Sequence, residues 1–199
     1  APAKAPAAPA AAPAPAAPLA VPTPPPDDFG RAMAALKDKN PMVRRRGCDE
    51  LARLRDPKAV PALMGLLKDE NPFVRSAAVD ALGLLRAPEA VAPISKILAT
   101  DADGQVRQQA AIALAYLGAA QAEDALLAAL DDKETGVRYA AIRTLGALRS
   151  AKAEAKITLL LKDADPGMRR VAAATLGQIR SAASLAPLAW RSNSSRSER

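Results

Sequence analysis

The sequence predicts an all-α, right-handed α-solenoid of about five two-helix repeats plus a truncated sixth, and three observations carry that prediction. First, hydrophobic residues make up 50% of the chain but aromatic ones only 3%. Ala and Leu therefore supply most of the apolar material, which favours close-packed helices over strands. Second, an arginine recurs as Arg44, Arg75, Arg107, Arg138 and Arg169, at spacings of 31, 32, 31 and 31 residues. Each follows an apolar residue (Val43, Val74, Val106, Val137 or Met168). Eight residues after that position comes a leucine (Leu51, Leu82, Leu114, Leu145 or Leu176), with a small residue beside it (Ala52, Gly83, Ala115, Gly146 or Gly177). Third, the apolar spacing inside a unit is helical: Val74, Ala78, Leu82 and Leu85 fall at i, i+4, i+8 and i+11, one stripe of an amphipathic helix.

The elements follow in order. Residues 1–28 read as a disordered Pro/Ala-rich linker or tail. The first 26 hold ten prolines and twelve alanines, and such a segment neither sustains a helix ladder nor buries enough surface to offset its ordering. Extended, it reaches up to roughly 80 Å at about 3.1 Å per residue. It lacks the basic start and continuous apolar stretch of a secretory signal. Opening on Ala, the chain reads as a processed product or an excerpt whose linker tethers it to something else. A cytoplasmic setting is favoured, or the cell envelope if the segment is a tether.

Residues 29–190 hold the repeats. The second helix of each unit, about fourteen residues long, starts on a written cap. Asn40-Pro41 and Asn71-Pro72 place an N-cap side chain before a proline at the first helical position. Asp165-Pro166 repeats this, Asp103-Gly104 approximates it, and Glu134-Thr135-Gly136 is the poorest start. Arg55, Arg86, Arg149 and Arg180 recur where this helix ends, at the negative end of its dipole. A shorter first helix precedes each marker, as in Ala59–Leu67 with Val60, Leu63, Leu66 and Leu67 inward. Asp56-Pro57, Ser150 and Ser181 are its expected caps. Neither helix buries its stripe alone, so units must stack; at roughly 8–10 Å per layer, five give a rod about 50 Å long. The sixth unit begins at Ser181, Leu185, Pro187 and Leu188 and stops after Trp190, leaving residues 191–199 as a disordered Ser/Arg tail. Either Trp190 folds back over that end, or the half-unit leaves an edge open to self-association.

Charge and composition narrow the function. Of the net charge of +7, residues 1–28 carry −1 and residues 191–199 carry +2. The repeats keep +6, from 24 basic and 18 acidic residues, a moderate excess that suits an acidic partner. The chain has no histidine, which removes His-based acid/base chemistry, Ser-His and Cys-His nucleophile pairs and His-containing zinc sites. Cys48 is the single cysteine and falls in the column of Val79, Ala111, Ile142 and Ala173, so it reads as a small core residue. No apolar run reaches the roughly 18 residues of a membrane span. No catalytic residue, metal site or cofactor is expected.

An aspartate stands six residues before each marker arginine: Asp38 before Arg44, Asp69 before Arg75, Asp101 before Arg107, Asp132 before Arg138 and Asp163 before Arg169. Proline occurs eight residues before the aspartate at Pro61 and Pro93, and is replaced by Asp124 and Ala155 in the later copies. On these residues, 29–190 resembles the HEAT repeat, in the short variety named after phycobilisome lyase subunits. The resemblance implies that the ten Asp and Arg side chains form a structural hydrogen-bonded ladder along the turns between units, fixing the stacking angle, and not a catalytic set. It also implies a binding face that is concave and lined by the second helices.

Residues two, six and ten after the apolar marker share one ridge of that face. In order they are Arg45, Asp49, Arg53; Ser76, Asp80, Leu84; Gln108, Ile112, Tyr116; Tyr139, Arg143, Ala147; and Arg170, Ala174, Gln178. Leu84, Ile112, Tyr116 and Tyr139 thus gather beside Arg143 and Arg170, and exposed Tyr and Arg are the side chains most enriched at binding hot spots. The expected function is a non-catalytic protein–protein interaction scaffold whose groove takes an acidic or aromatic-containing segment of another protein. The bland alternative leaves both tyrosines half-buried on helix edges with their hydroxyls in water. A nucleic-acid-binding module is a second class, but Arg45, Arg53, Arg143 and Arg170 interleave with Asp49 and Asp80, too mixed a charge for a phosphate track. An accessory subunit of a phycobilin-lyase-like enzyme is a third, resting on the resemblance alone. The iron hydroxylases built on such repeats need histidine and are excluded.

Overall fold

The computed structural model describes residues 27–194, with side chains through Arg180. The linker reading of residues 1–26, the tail reading of residues 195–199 and the side chain of Trp190 lie outside the described residues. Among those described, ten α-helices and no strand form five helix pairs. They are α1 (Asp28–Ala35) with α2 (Pro41–Leu54), α3 (Val60–Leu66) with α4 (Pro72–Leu84), and α5 (Val91–Thr100) with α6 (Gly104–Leu117). Then come α7 (Glu123–Ala129) with α8 (Thr135–Ala147), and α9 (Glu154–Leu159) with α10 (Pro166–Ser194). Each second helix packs on the next one, making an α-solenoid with one continuous core. The marker leucines lie on its axis: Leu51, Leu82, Leu114 and Leu145 are fully buried and Leu176 nearly so.

The caps explain where helices start. The side chains of Asn40, Asn71, Asp103 and Asp165 accept from the backbone N–H of Met42, Phe73, Gln105 and Gly167. Glu134 makes no such bond. Asp56 caps the 3-10 turn Pro57–Ala59 that leads into α3, but Ser150, expected to do the same for Ala151–Ala153, does not. Its hydroxyl is buried without a hydrogen-bond partner. The sequence shows a cap residue; the local geometry turns its oxygen into the core.

Helix ends depart further from expectation. Arg55, Arg86 and Arg149 take left-handed backbone, with φ of 54°, 52° and 52°, and Gly118 holds the same position at φ 61°. The N–H groups of Ala87, Ala119 and Ser150 then reach back to the carbonyls of Leu82, Leu114 and Leu145 at 3.2, 3.2 and 3.0 Å, the closure that satisfies orphan carbonyls at a helix end. These arginines are therefore turn residues first and dipole partners second. At Arg180 no turn forms: α10 runs unbroken through Ser194, so the helix start expected at Ser181 is absent.

Close approach between layers rests on the small column. A Cβ on Gly83 would lie 3.0 Å from the Ala113 Cβ and 3.2 Å from its Cα, in the next second helix. In the Cys48 column, Cys48, Val79, Ala111 and Ile142 are fully buried. Ala173, expected with them, is exposed, because no described side chain forms a further layer beyond α10.

Two substitutions test these joints. Arg86→Gly should stabilise the fold by about 1 kcal/mol, since glycine adopts positive φ without the Cβ clash. Ser150→Ala should stabilise by up to about 1 kcal/mol by removing a buried unpaired hydroxyl. Urea unfolding read by far-UV circular dichroism measures both; loss of stability in either would contradict the corresponding geometry.

Candidate functional site

The five aspartates lie in the turns inside each repeat, not in those between repeats, and the arginines join one such turn to the next. Arg44 forks onto Asp69 through Nε (2.7 Å) and Nη2 (2.8 Å). Arg75 forks onto Asp101 at 2.8 and 2.8 Å, and Arg107 onto Asp132 at 2.7 and 2.8 Å. In each case Nη1 donates to the carbonyl of the aspartate in the arginine's own turn (Asp38, Asp69 or Asp101), 2.9 Å away. Every receiving carboxylate also accepts a backbone N–H two residues on, from Asn71, Asp103 or Glu134. One guanidinium thus clamps two successive turns in a bidentate, charge-assisted arrangement.

The next position differs. Arg138 still holds its own turn, through Nη1 to the Asp132 carbonyl at 2.8 Å, but its Nη2 donates to the Thr135 hydroxyl and not to Asp163. Here α9 gives way to a 3-10 turn, Leu160–Lys162, before Asp163. The inter-repeat bond passes instead to Tyr139, whose hydroxyl donates to Asp165 Oδ2 at 2.8 Å. Arg169 keeps only the contact with its own turn, to the Asp163 and Ala164 carbonyls.

Titration follows these contacts. Partial burial works against ionisation of Asp69 and Asp101, but the Arg44 and Arg75 forks, with the backbone N–H groups, outweigh it and hold both below the usual carboxylate range. For Asp132 the Arg107 hydrogen bond is the largest influence, again downward. Asp80 goes the other way: burial and the charge of Asp49 raise it against one hydrogen bond from Gln109. Burial pushes the Cys48 thiol up to about 12, which makes it an inert core residue at neutral pH.

The second-helix face carries two adjoining hollows. One, of about 360 Å³ between α6 and α8, is lined by Gln108, Ile112, Tyr116, Tyr139, Arg143 and Ala147 among others. The other, of about 650 Å³ between α8 and α10, is lined by Arg143, Ala147, Arg149, Ala174, Thr175 and Gln178 among others. Four of the six residues expected to bind a partner, Ile112, Tyr116, Tyr139 and Arg143, therefore meet in one hollow, and Arg143 borders both. Arg170 is exposed outside them, and Leu84 is half-buried against the core. Tyr116 is 47% exposed. Tyr139 is half-buried, its hydroxyl already committed to Asp165.

Position adds what total charge conceals. Residues 29–132 hold fourteen basic and fourteen acidic side chains, whereas residues 133–180 hold ten basic and four acidic. That division falls inside the fourth repeat: taken whole, the last two repeats (residues 119–180) hold ten basic and eight acidic side chains. Lys152 faces Glu123 and Asp124 and Lys156 faces Asp131, and Arg143 and Arg149 are the cations that line the larger hollow. Sequence reading also missed three inter-repeat bonds: Gln109 to Asp80 (2.7 Å), Thr144 to the Ala111 carbonyl (2.8 Å) and Lys156 to the Leu127 carbonyl (2.8 Å). None of the three stands out in the sequence: even Thr144 shares its column with Glu50, Ala81, Ala113 and Thr175.

The family model for HEAT repeats matches residues 31–115, 91–160 and 123–199. The chain belongs to the HEAT repeats. Among solved structures it is similar to a chain of the complex of CpcE and CpcF of phycocyanin lyase from Nostoc sp. PCC7120. That match has a TM-score of 0.63 and 24% identity over 74% of this chain and 96% of that one. It is also similar to YIBA of Escherichia coli, with a TM-score of 0.64 and 20% identity over 78% and 63%. A designed armadillo repeat protein in complex with the peptide (KR)4 gives a TM-score of 0.61 and 21% identity over 76% and 81%. These likenesses are of fold. No curated protein matches the chain by sequence. No helix among the described residues is long and apolar enough to cross a membrane.

Removing one rung should separate the two kinds of joint. Asp101→Asn should cost about 2 kcal/mol, because it leaves a largely buried guanidinium without its counter-charge; Asp163→Asn should cost under about 0.5 kcal/mol. Lowered carboxylates contribute stability that is present above their unfolded pKa, about 3.9, and lost as pH falls through the folded value. Acid unfolding of the wild type should therefore begin below about pH 4, with a shallower pH slope in Asp101→Asn. Equal costs for the two variants in urea titrations would contradict the rung geometry.

Proposed function

We propose that this HEAT solenoid is a non-catalytic interaction scaffold that seats an acidic segment of another protein along the second helices of its last three repeats. The observation that carries this reading is the pair of adjoining hollows on the second-helix face, with Arg143 between them, Arg149 lining the larger and Tyr116 lining the smaller. Carboxylates of the segment would meet Arg143, Arg149 and Arg170, and an aromatic or aliphatic side chain would fill the hollow walled by Ile112 and Tyr116. Tyr139 contributes its ring to the wall and its hydroxyl to the joint beneath. Complementary charge of this kind sets orientation and association rate, and the buried aromatic contact supplies residence time. The fold is one commonly used for protein-interaction scaffolds, and the designed armadillo neighbour holds a peptide, there a basic one.

Fluorescence anisotropy with a random Glu/Tyr copolymer, the peptide (KR)4 and a single-stranded oligonucleotide tests it. The copolymer should bind and (KR)4 should not. Arg143→Glu should weaken copolymer binding at least about tenfold, and Tyr116→Ala by about threefold to tenfold, with unfolding midpoints unchanged. Oligonucleotide affinity that exceeds that of the copolymer and falls steeply with salt would replace the reading with a nucleic-acid one.

A further inference from the structure

Several cations of the last two repeats are neutralised where they stand. Lys152 faces Glu123 and Asp124, Lys156 bonds Asp131, and Arg180 bonds Glu154. Arg143 and Arg149 are not neutralised. Both line the hollow of about 650 Å³ between α8 and α10, and neither makes a side-chain hydrogen bond or ion pair among the described residues. No carboxylate among those residues lines the hollow. Two guanidiniums therefore share it without a counter-charge.

A hydroxyl in the wall points the same way. Thr175 lines the hollow and is only 3% exposed. Its counterpart one repeat earlier, Thr144, donates to the Ala111 carbonyl at 2.8 Å. The equivalent acceptor for Thr175 is the Ile142 carbonyl, and that bond is not made: the Thr175 hydroxyl has no hydrogen-bond partner among the described residues. Unlike the Ser150 oxygen, it is not sealed from solvent, so it opens on the hollow. A nearly buried hydroxyl in that state costs stability unless something entering the hollow meets it. Gln178 supplies a further polar group over Gly146, where a Cβ would stand 2.5 Å from the Gln178 Oε1 and 3.0 Å from the Thr175 Cγ2.

We infer that the larger hollow is a subsite for a phosphate monoester carried by the partner segment, a phosphoserine or phosphothreonine side chain. The inference rests on the groove reading above and names what its larger hollow takes. A carboxylate brings one charge and two oxygens, and leaves one guanidinium uncompensated. A phosphate monoester brings about −1.5 to −2 charges at neutral pH and three acceptor oxygens. It can take a fork from one arginine, a charge-assisted bond from the other and the Thr175 hydroxyl as a third donor. The smaller hollow, walled by Ile112 and Tyr116, holds the neighbouring aromatic or aliphatic side chain of the same segment.

Three labelled peptides of the pattern Glu-Tyr-Gly-Gly-Xaa-Gly-Gly-Tyr-Glu, with serine, glutamate or phosphoserine at Xaa, test this by fluorescence anisotropy on the full chain. Each tyrosine stands three residues from Xaa, because adjoining hollows lie one helix layer apart, about 10 Å, and an extended chain advances about 3.3 Å per residue. Near pH 7.5 the phosphoserine peptide should bind about tenfold tighter than the glutamate peptide. Near pH 5, where the phosphate loses its second charge and glutamate keeps its own, that advantage should shrink to about twofold. Arg149→Gln should remove it. Thr175→Val, of similar shape at a hydroxyl that bonds no described group, should reduce it about threefold with the urea midpoint unchanged. Equal binding of the glutamate and phosphoserine peptides would overturn this inference and leave the groove standing, whereas binding of none of the three would overturn both. A preference unaltered in Arg149→Gln would place the phosphate outside the hollow and overturn it too. So would inorganic phosphate that competes as tightly as the phosphopeptide binds, which would assign the hollow to the free ion.

Discussion

Arg44, Arg75 and Arg107 each hold two turns at once, gripping the next repeat's aspartate with one edge of the guanidinium and their own turn's carbonyls with the other. Apolar stripes decide that helices stack, but a stripe of alanine and leucine tolerates sliding and rotation. The fork does not: its two parallel bonds fix direction as well as distance. With the turns held at a constant offset, Gly83 can meet Ala113 at backbone contact, and the second helices present their outward columns as one ridge. The hollow between α6 and α8 thus sits beside a joint held by the Arg107–Asp132 rung.

Much of this was legible because the repeat multiplies weak signals. A lone Asp six residues before an Arg means little, but five in register implied a ladder, and the Asn-Pro starts marked their helices correctly. What could not be read was anything set by three-dimensional offset. Which aspartate pairs with which arginine depends on the translation between layers, so the partner 25 or 26 residues on was invisible in a pattern of six. The αL ends were written as arginine where glycine would have declared them. Ser150 looked like Asp56 and behaves differently because its oxygen turns inward. Tyr139 was read as surface, and its ring does line a hollow, but its hydroxyl serves a joint that only the departure of Asp163 from the ladder makes necessary.

The face itself was half legible. Ile112, Tyr116, Tyr139 and Arg143 come together as the ridge rule places them, since i, i+4 and i+8 positions on stacked helices must align. Leu84 falls away into the core, and Arg149 joins from a helix end that the ridge rule does not count. Charge gave the least from composition alone and the most from position. A net +6 over the repeats reads as mild and is spread along the rod, +4 over residues 29–118 and +2 over residues 119–180, whereas position puts Arg143 and Arg149 at the hollow between α8 and α10.

The exchange of a guanidinium fork for a single tyrosine hydroxyl between the fourth and fifth repeats has a mechanical meaning. Three joints are forked at their turns. The fourth has one tyrosine hydroxyl there, with Lys156 bonding the Leu127 carbonyl and Asp131 from the first-helix side. At the turns, bending and twist along the rod therefore concentrate at that joint. That joint floors the larger hollow. Any segment lying across α8 and α10 would bridge the compliant place and stiffen it, so occupancy and rigidity become coupled. Thermodynamic reciprocity then applies: whatever straightens the rod, even tension on its two ends, changes the affinity of the groove by the same free energy with which the occupied groove resists bending.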